Sequence, residues 1–330
     1  MSKTKKTTIV GAGAIGGLIA AALHKAGHDV SVLARSTTLE ALRANGLRVV
    51  QADSDDEERV AVHATGDAAS LGTQDFVVIA LKAQVLPGLA ASLAPMIGPH
   101  TVIVAAMNGL PWWFLDGLEG PLLGQHIDAV DPGGVVSRSL PPRQAIGCVV
   151  HLSSATIAPG VIKRGRGNRL IVGAPSDALA ARAASLAADL IRGGFEVEST
   201  ESIRQAFWIK LWGNMNMNPI SALTGSAADA ILDDPMTHAL VLRMMEEASA
   251  IGERLGLTTG MSAPERVAVT RKLGAFKTSM LQDLEASRPL ELMPILGVFP
   301  ELGRKLDVPT PFCDAILGLL RQRAANSGLS

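Results

Sequence analysis

The sequence predicts an α/β protein in two parts: a domain over residues 1–199 built around a parallel sheet, then an all-α C-terminal domain over residues 200–330. Three observations carry that reading. Short β-rich runs alternate with helical stretches along the first part, which is the pattern of βαβ units around a parallel sheet. A glycine pattern, Gly11-Ala12-Gly13-Ala14-Ile15-Gly16, stands between the first β-rich run and the first helical stretch. From Ser202 onward the chain is helical in texture and strand-poor. Its Met and Leu fall at helical spacing, and Met215, Met217, Met244 and Met245 read as core packing.

Thr7–Val10 is the first β-rich run, and Ile15 to Lys25 reads as a helix stopped at Gly27. Asp29–Leu33 predicts a second strand, and Leu39–Ala44 a short helix closed by Asn45-Gly46. Phe76–Leu81 and Thr101–Ala106 are continuous apolar runs, as in strands buried on both faces. Leu115 to Arg143 is loop-rich and too long for an ordinary connection, so it reads as functional or inserted. Strand signals resume at Ala145–Leu152, Arg169–Val172 and Glu196–Val197.

With 330 residues the chain can build two domains with real cores. The 30 Lys and Arg nearly cancel the 31 Asp and Glu, which leaves no electrostatic case for nucleic acid or an anionic membrane as partner. Cys148 and Cys313 are far apart and outside any metal-ligand spacing. They read as thiols in a reducing compartment, and no metal site is expected. No tyrosine occurs, so Tyr–Lys dehydrogenase chemistry is excluded. The basic start and the uncharged run Ile9 to Leu23 mimic a signal peptide. That run is studded with glycines at fixed offsets and is shorter than the roughly 20 residues of a bilayer span. The expectation is a cytoplasmic protein without a membrane segment.

The glycine pattern fits G-x-G-x-x-G, and its place between strand and helix is where a Rossmann-like domain requires it. Gly11 permits the tight turn, Gly13 lets the main chain approach a pyrophosphate, and Gly16 lets the helix pack closely on the strand. The helix start offers N–H groups and a positive dipole end to the phosphates. The second strand ends in Ala34-Arg35-Ser36-Thr37, with no carboxylate to hold a ribose 2′-hydroxyl. Arg35 can instead form charge-assisted bonds to a 2′-phosphate, which selects NADPH/NADP+.

In the second part, Lys210, Asn214 and Asn218 are spaced i, i+4, i+8 before Pro219. On a helix they form one stripe, each about 40° round from the last. Taken alone, the stripe is equally a solvated face or a surface for a polar ligand. Pro219 is expected to kink or end the helix.

At this point the sequence resembles the ketopantoate reductase (2-dehydropantoate 2-reductase) family. The resemblance rests on Gly11–Gly16, on Lys82 in Ala-Leu-Lys-Ala and on Asn108-Gly109. It rests further on Lys210-x3-Asn214-x3-Asn218-Pro219 and on Ser279-Met-Leu-Gln-Asp283 followed by Glu291. It covers nearly the whole chain, in order. It implies reduction of a 2-oxo acid with NADPH, in pantothenate biosynthesis for the parent activity. It makes Lys210 the general acid, with Glu291 ordering the lysine and the nicotinamide side. Asn214 and Asn218 hold the substrate's polar groups, and Ser279 binds its carboxylate. Asn108 contacts cofactor and substrate, and Lys82 sits by the cofactor. Hydride addition to a ketone develops alkoxide charge, which an ammonium stabilises and then neutralises. Ser279 and Glu291 are separated by Arg288-Pro289, so a helix, a turn and Glu291 in the first turn of a second helix are expected.

The chain departs from the family pattern in places. Ala228 stands where the family often has a further asparagine. Leu292-Met-Pro-Ile-Leu-Gly297 stands where it often has Ile-Asp-Tyr-Ile-Asn-Gly. Pro111-Trp-Trp-Phe114 follows Asn108-Gly109, and Trp112 and Trp113 read equally as packing or as substrate lining. These changes point to a larger or more apolar oxo acid as the alternative substrate. A non-catalytic NADP-sensing module is a further reading that the intact Lys210 argues against. Dimerisation through the helical part is left open.

Overall fold

The structure is a computed structural model that describes residues 4–54 and 56–329. The chain divides into two compact units. One is built from the residues up to Met107 together with Gly134–Ile203; the other contains Asn108–Gly133 and the chain from Arg204 on.

The first unit holds twelve strands: β1 (Lys6–Val10), β2 (Asp29–Leu33), β3 (Leu47–Val50), β4 (Glu57–Val60), β5 (His63–Thr65), β6 (Phe76–Ile79), β7 (Val102–Ala105), β8 (Ala145–His151), β9 (Ser154–Ala158), β10 (Val161–Arg164), β11 (Arg169–Gly173) and β12 (Glu196–Thr200). Eight of them form one sheet in the order β12-β11-β8-β7-β6-β1-β2-β5. From β5 across to β8 all pairs are parallel. All four residues of β6 and all four of β7 are buried, as their unbroken apolar runs require. The sheet is not parallel throughout: β11 runs antiparallel to β8, and β12 follows β11. The chain between β8 and β11 carries no crossover helix, and only antiparallel neighbours can be joined without one.

A second sheet, β4-β3-β10-β9, is absent from the sequence expectation. Its strands are short, and β4 and β9 are largely exposed and lack a run of apolar residues. The helices of the first unit are α1 (Ala14–Lys25), α2 (Ser36–Asn45), α3 (Leu86–Leu93), α4 (Val135–Ser139) and α5 (Ala180–Arg192). The small sheet lies on α1, where a Cβ at Gly17 would meet the Ile162 side chain at 2.6 Å. Beside the start of β1 lies a buried polar network. The Thr7 hydroxyl meets His28 Nδ1 at 2.7 Å, and His28 Nε2 meets Asp189 Oδ2 at 2.9 Å. Lys5 and Arg192 also donate to Asp189.

The second unit contains no strand among its described residues. Its helices are α6 (Ile203–Thr224), α7 (Ala228–Asp233), α8 (Pro235–Arg254), α9 (Ala263–Arg271), α10 (Ser279–Glu285), α11 (Val298–Leu306) and α12 (Pro311–Asn326). α6 does not end at Pro219. It continues to Thr224 with the proline inside, and the helix forgoes the main-chain bond that the missing N–H would have made. Asn108–Gly133 joins this unit through aromatic packing. Trp113 meets Phe207 edge-on at 5.7 Å between centroids, and Phe114 stacks on Trp208 at 6.2 Å. Arg204 Nε donates to the Phe114 carbonyl at 2.9 Å, and Glu301 accepts from the N–H groups of Asp128 and Ala129. Trp113 is thereby a packing residue of the second unit. Among the described residues no helix is long and apolar enough to cross a membrane. None of their His, Cys, Asp and Glu side chains group in threes to hold a metal ion.

Candidate active site

The glycine turn closes the carboxyl end of β1 and opens α1. Each glycine answers a different requirement. Gly11 has φ +100°, and a Cβ there would lie 2.6 Å from the Leu81 side chain. A Cβ at Gly16 would overlap the carbonyl oxygen of Gly11. Both are therefore demanded by the protein itself. Gly13 is different: it is exposed, its backbone is extended, and a Cβ there would meet nothing within 4 Å. A glycine that folding does not need suits the close approach of a ligand. Gly13 is also the N-cap of α1, whose first turn carries no acidic side chain. Ala12, Ala14 and Ile15 lie with Gly13 at the start of α1, the kind of helix terminus whose N–H groups favour a phosphate.

The strands beside β1 bring two cations to the same edge. Val10 is level with Leu33 of β2 and with Ile79 of β6. Arg35 follows β2 by two residues, and Lys82 follows β6 by three. Arg35 is exposed at the N-cap of α2 and makes no side-chain bond among the described residues. Lys82 is half-buried ahead of the short turn Ala83–Val85. The order of β2, β1 and β6 makes this edge the topological switch point, where open α/β sheets bind ligands.

In the second unit α6 is locked by its aromatic residues. Trp212 Nε1 donates to the Met245 carbonyl at 2.9 Å, and Trp208 packs on Phe299. That fixes the rotation of the helix and hence the direction of its polar stripe. Lys210 and Asn214 are half-buried and Asn218 is buried. Lys210 Nζ donates to Asn108 Oδ1 at 2.9 Å, a pair spanning 102 positions that no sequence spacing announces. Asn216 lies off the stripe, and its amide donates back to the Trp212 carbonyl.

Sequence reasoning also passes over Arg266 of α9. Its guanidinium lies against Gly213, where a Cβ would collide with Nη2, and its Nη1 donates to the Thr270 hydroxyl at 3.0 Å. Burial pushes its pKa down, and no described carboxylate pairs with it. Gly213 is a helix neighbour of Lys210, so this face of α6 carries two cations, a field suited to an anionic substrate.

Ser279 is the exposed first residue of α10, whose N-cap is Thr278. Glu291 is 8% exposed. It stands one residue ahead of the next helical segment and not in its first turn, because α10 ends at Glu285 and the chain stays irregular through Leu290. That segment opens with a π-helical turn, Met293–Gly297, and continues as α11. Pro294, Ile295 and Leu296 are buried. The apolar residues that replace the family's polar ones therefore serve packing and carry no argument for a larger substrate.

Comparison with known proteins shows the family of the chain. The family model for ketopantoate reductase PanE/ApbA matches residues 7–176, and that for its C-terminal part matches residues 202–324. A 2-dehydropantoate 2-reductase of Mesorhizobium japonicum is 45% identical over 98% of this chain and 99% of its own. A crystal structure of a protein from Ralstonia solanacearum assigned as a ketopantoate reductase superposes with a TM-score of 0.94 at 48% identity. It covers 99% of this chain and 100% of that one. The 2-dehydropantoate 2-reductase of Geobacter metallireducens gives 0.82 at 27% identity, over 96% and 99% of the two chains.

Proposed function

We propose that this chain, which belongs to the ketopantoate reductase family, reduces 2-dehydropantoate (ketopantoate) to pantoate with NADPH. The observation that carries the proposal is the Lys210–Asn108 pair. It presents a bonded ammonium beside Asn214 and Asn218 on one locked helix.

Gly11–Gly16 would hold the pyrophosphate on main-chain N–H groups, Arg35 the 2′-phosphate, and Lys82 would lie by the cofactor. When bound, the reduced nicotinamide supplies a hydride to the carbonyl carbon of the oxo acid. Lys210 then does two things. Its positive charge stabilises the oxyanion that develops at the carbonyl oxygen, and its Nζ passes a proton to that oxygen, leaving the hydroxyl of the product. The neutral amine is reprotonated from solvent. Asn214 and Asn218 orient the substrate through neutral amides, which add no competing charge, and Ser279 donates to its carboxylate. Glu291 orders the lysine and the nicotinamide side of the cofactor, and Asn108 contacts both cofactor and substrate. Buried thiols at Cys148 and Cys313 support a reducing, cytoplasmic setting. A homodimer is proposed through α12, whose exposed Phe312 and Leu319 lie two turns apart on one face; light scattering showing only monomer would exclude it.

The test is a panel of 2-oxo acids including ketopantoate, followed by NADPH absorbance. Ketopantoate is reduced, and Lys210→Ala lowers turnover by about a hundredfold or more while NADPH affinity stays within a few fold. Absence of ketopantoate reduction, or near-normal turnover by the variant, overturns the proposal.

A further inference from the structure

A lysine side chain is long and flexible, and its usefulness as a proton donor depends on what holds Nζ. Here Asn108 Oδ1 holds it at 2.9 Å. Asn108 itself stands beyond the end of β7 on irregular chain, so its own placement needs a cause. The next two residues supply one. Gly109 has φ +81°, in the left-handed region. A Cβ on Gly109 would lie 2.6 Å from both the Cβ and the carbonyl oxygen of Pro294. Leu110 N–H donates to that same carbonyl at 3.0 Å. Glycine is required here twice, by conformation and by space.

We infer that Gly109 and the main-chain carbonyl of Pro294 form a clasp that positions Asn108, and through it the Lys210 ammonium, for proton transfer. Pro294 lies in the π-helical turn Met293–Gly297, and irregular turns of this kind recur at functional sites. It also lies three residues after Glu291. The clasp thus ties the Asn108 segment to the Glu291 segment at one point. It gives a role to the stretch Leu292–Gly297, where the chain departs from the family pattern. Gly109 touches Pro294 and is a positioning residue; it acts only through Asn108.

The inference rests on the proposed reductase function, and its test separates the two. In Gly109→Ala we expect kcat for ketopantoate to fall about thirtyfold, with KM within about threefold, the signature of a lost transition-state interaction. NADPH affinity falls by at most a few fold, because Asn108 touches the cofactor but the glycine turn and Arg35 are untouched. Asn108→Ala falls at least as far, and the double variant is no slower than Asn108→Ala alone, because both remove one device. A second readout needs no substrate. Acylation of Lys210 by an amine reagent, quantified in its peptide by mass spectrometry, speeds up about threefold or more in Gly109→Ala. Gly109→Asn tolerates the positive φ but keeps the Cβ collision, so it carries the test if the alanine variant folds poorly. Pro294→Ala keeps the carbonyl and labels like wild type. Additive losses, or unchanged Lys210 labelling in folded Gly109 variants, overturn the clasp. A wild type that does not reduce ketopantoate overturns the proposed function, and the labelling still decides the clasp.

Discussion

Gly13 and Gly16 are three residues apart in one turn, and the structure gives alanine opposite consequences at the two. At Gly13 the new Cβ meets no protein atom within 4 Å, and φ of −74° suits any residue. The folding cost is that of changing an N-cap glycine, at most about 1 kcal/mol. For a unit of this size that is about 2–4 °C in Tm. The same Cβ intrudes where a pyrophosphate would approach the main chain. Losing one or two N–H bonds to charged phosphate oxygens costs about 1.5–3 kcal/mol, which is roughly ten- to hundredfold in Kd. At Gly16 the Cβ overlaps the Gly11 carbonyl oxygen, a main-chain atom that cannot rotate away. Either the turn or the α1–β1 packing must shift, at a cost of about 3 kcal/mol or more. Thermal unfolding without ligand and calorimetric titration with NADPH separate the cases. Gly13→Ala is near wild type in Tm and weak in binding, whereas Gly16→Ala loses about 6 °C or more before any ligand is added. A Gly13→Ala protein with wild-type NADPH affinity would refute the placement of the pyrophosphate on this turn.

Two further outcomes are expected. Arg35 is exposed and makes no side-chain bond among the described residues, so Arg35→Ala leaves Tm unchanged; wild type prefers NADPH over NADH by about tenfold or more, and the variant loses most of that gap. Equal affinities of the wild type for the two cofactors would remove Arg35 from the assignment. The second outcome concerns pH. Burial holds the His28 imidazole below its ordinary value of 6.5, despite the Asp189 hydrogen bond that acts to raise it. Below that pH the unfolded chain takes up a proton that the folded one does not, so the contribution of His28 is full above about pH 6.5 and is lost as pH falls toward the folded value. Burial acts to raise Asp189, but bonds from Lys5 and His28 hold it below its ordinary 3.8, so its loss comes only in stronger acid. Tm should therefore be flat from pH 7 to 8 and decline as pH falls below 6.5, and His28→Gln should flatten that decline. The same slope in the variant would assign it to another group.

What could be read from the sequence follows the range of the interactions involved. β6 and β7 are unbroken apolar runs because each is buried on both faces, and burial of that kind writes itself into consecutive residues. β3, β4, β9 and β10 leave no such mark. They are hairpin strands of four or five residues, and β4 reads Glu57-Glu58-Arg59 because one face is solvated and Arg48 of β3 pairs with Glu57. The segment 108–133 defeats sequence reading for another reason. Its turns look like an insertion, and it is long-range contacts, such as those of Trp113 and Phe114 with α6 and of Ala129 with Glu301, that assign it to the second unit.

The same division runs through the candidate site. The stripe of Lys210, Asn214 and Asn218 is legible because helical spacing puts its members on one face by local geometry alone. Nothing local says whether that face is wet or working. The partner that the fold brings to Lys210 is Asn108, 102 positions away, and a lone asparagine before a glycine is also an ordinary turn. The glycine after it is better evidence than the asparagine. A turn glycine needs only a positive φ, whereas Gly109 also needs the space that Pro294 fills. Gly109 and Gly13 thus mark opposite kinds of glycine: at one the protein already fills the space of a side chain, and at the other that space is open.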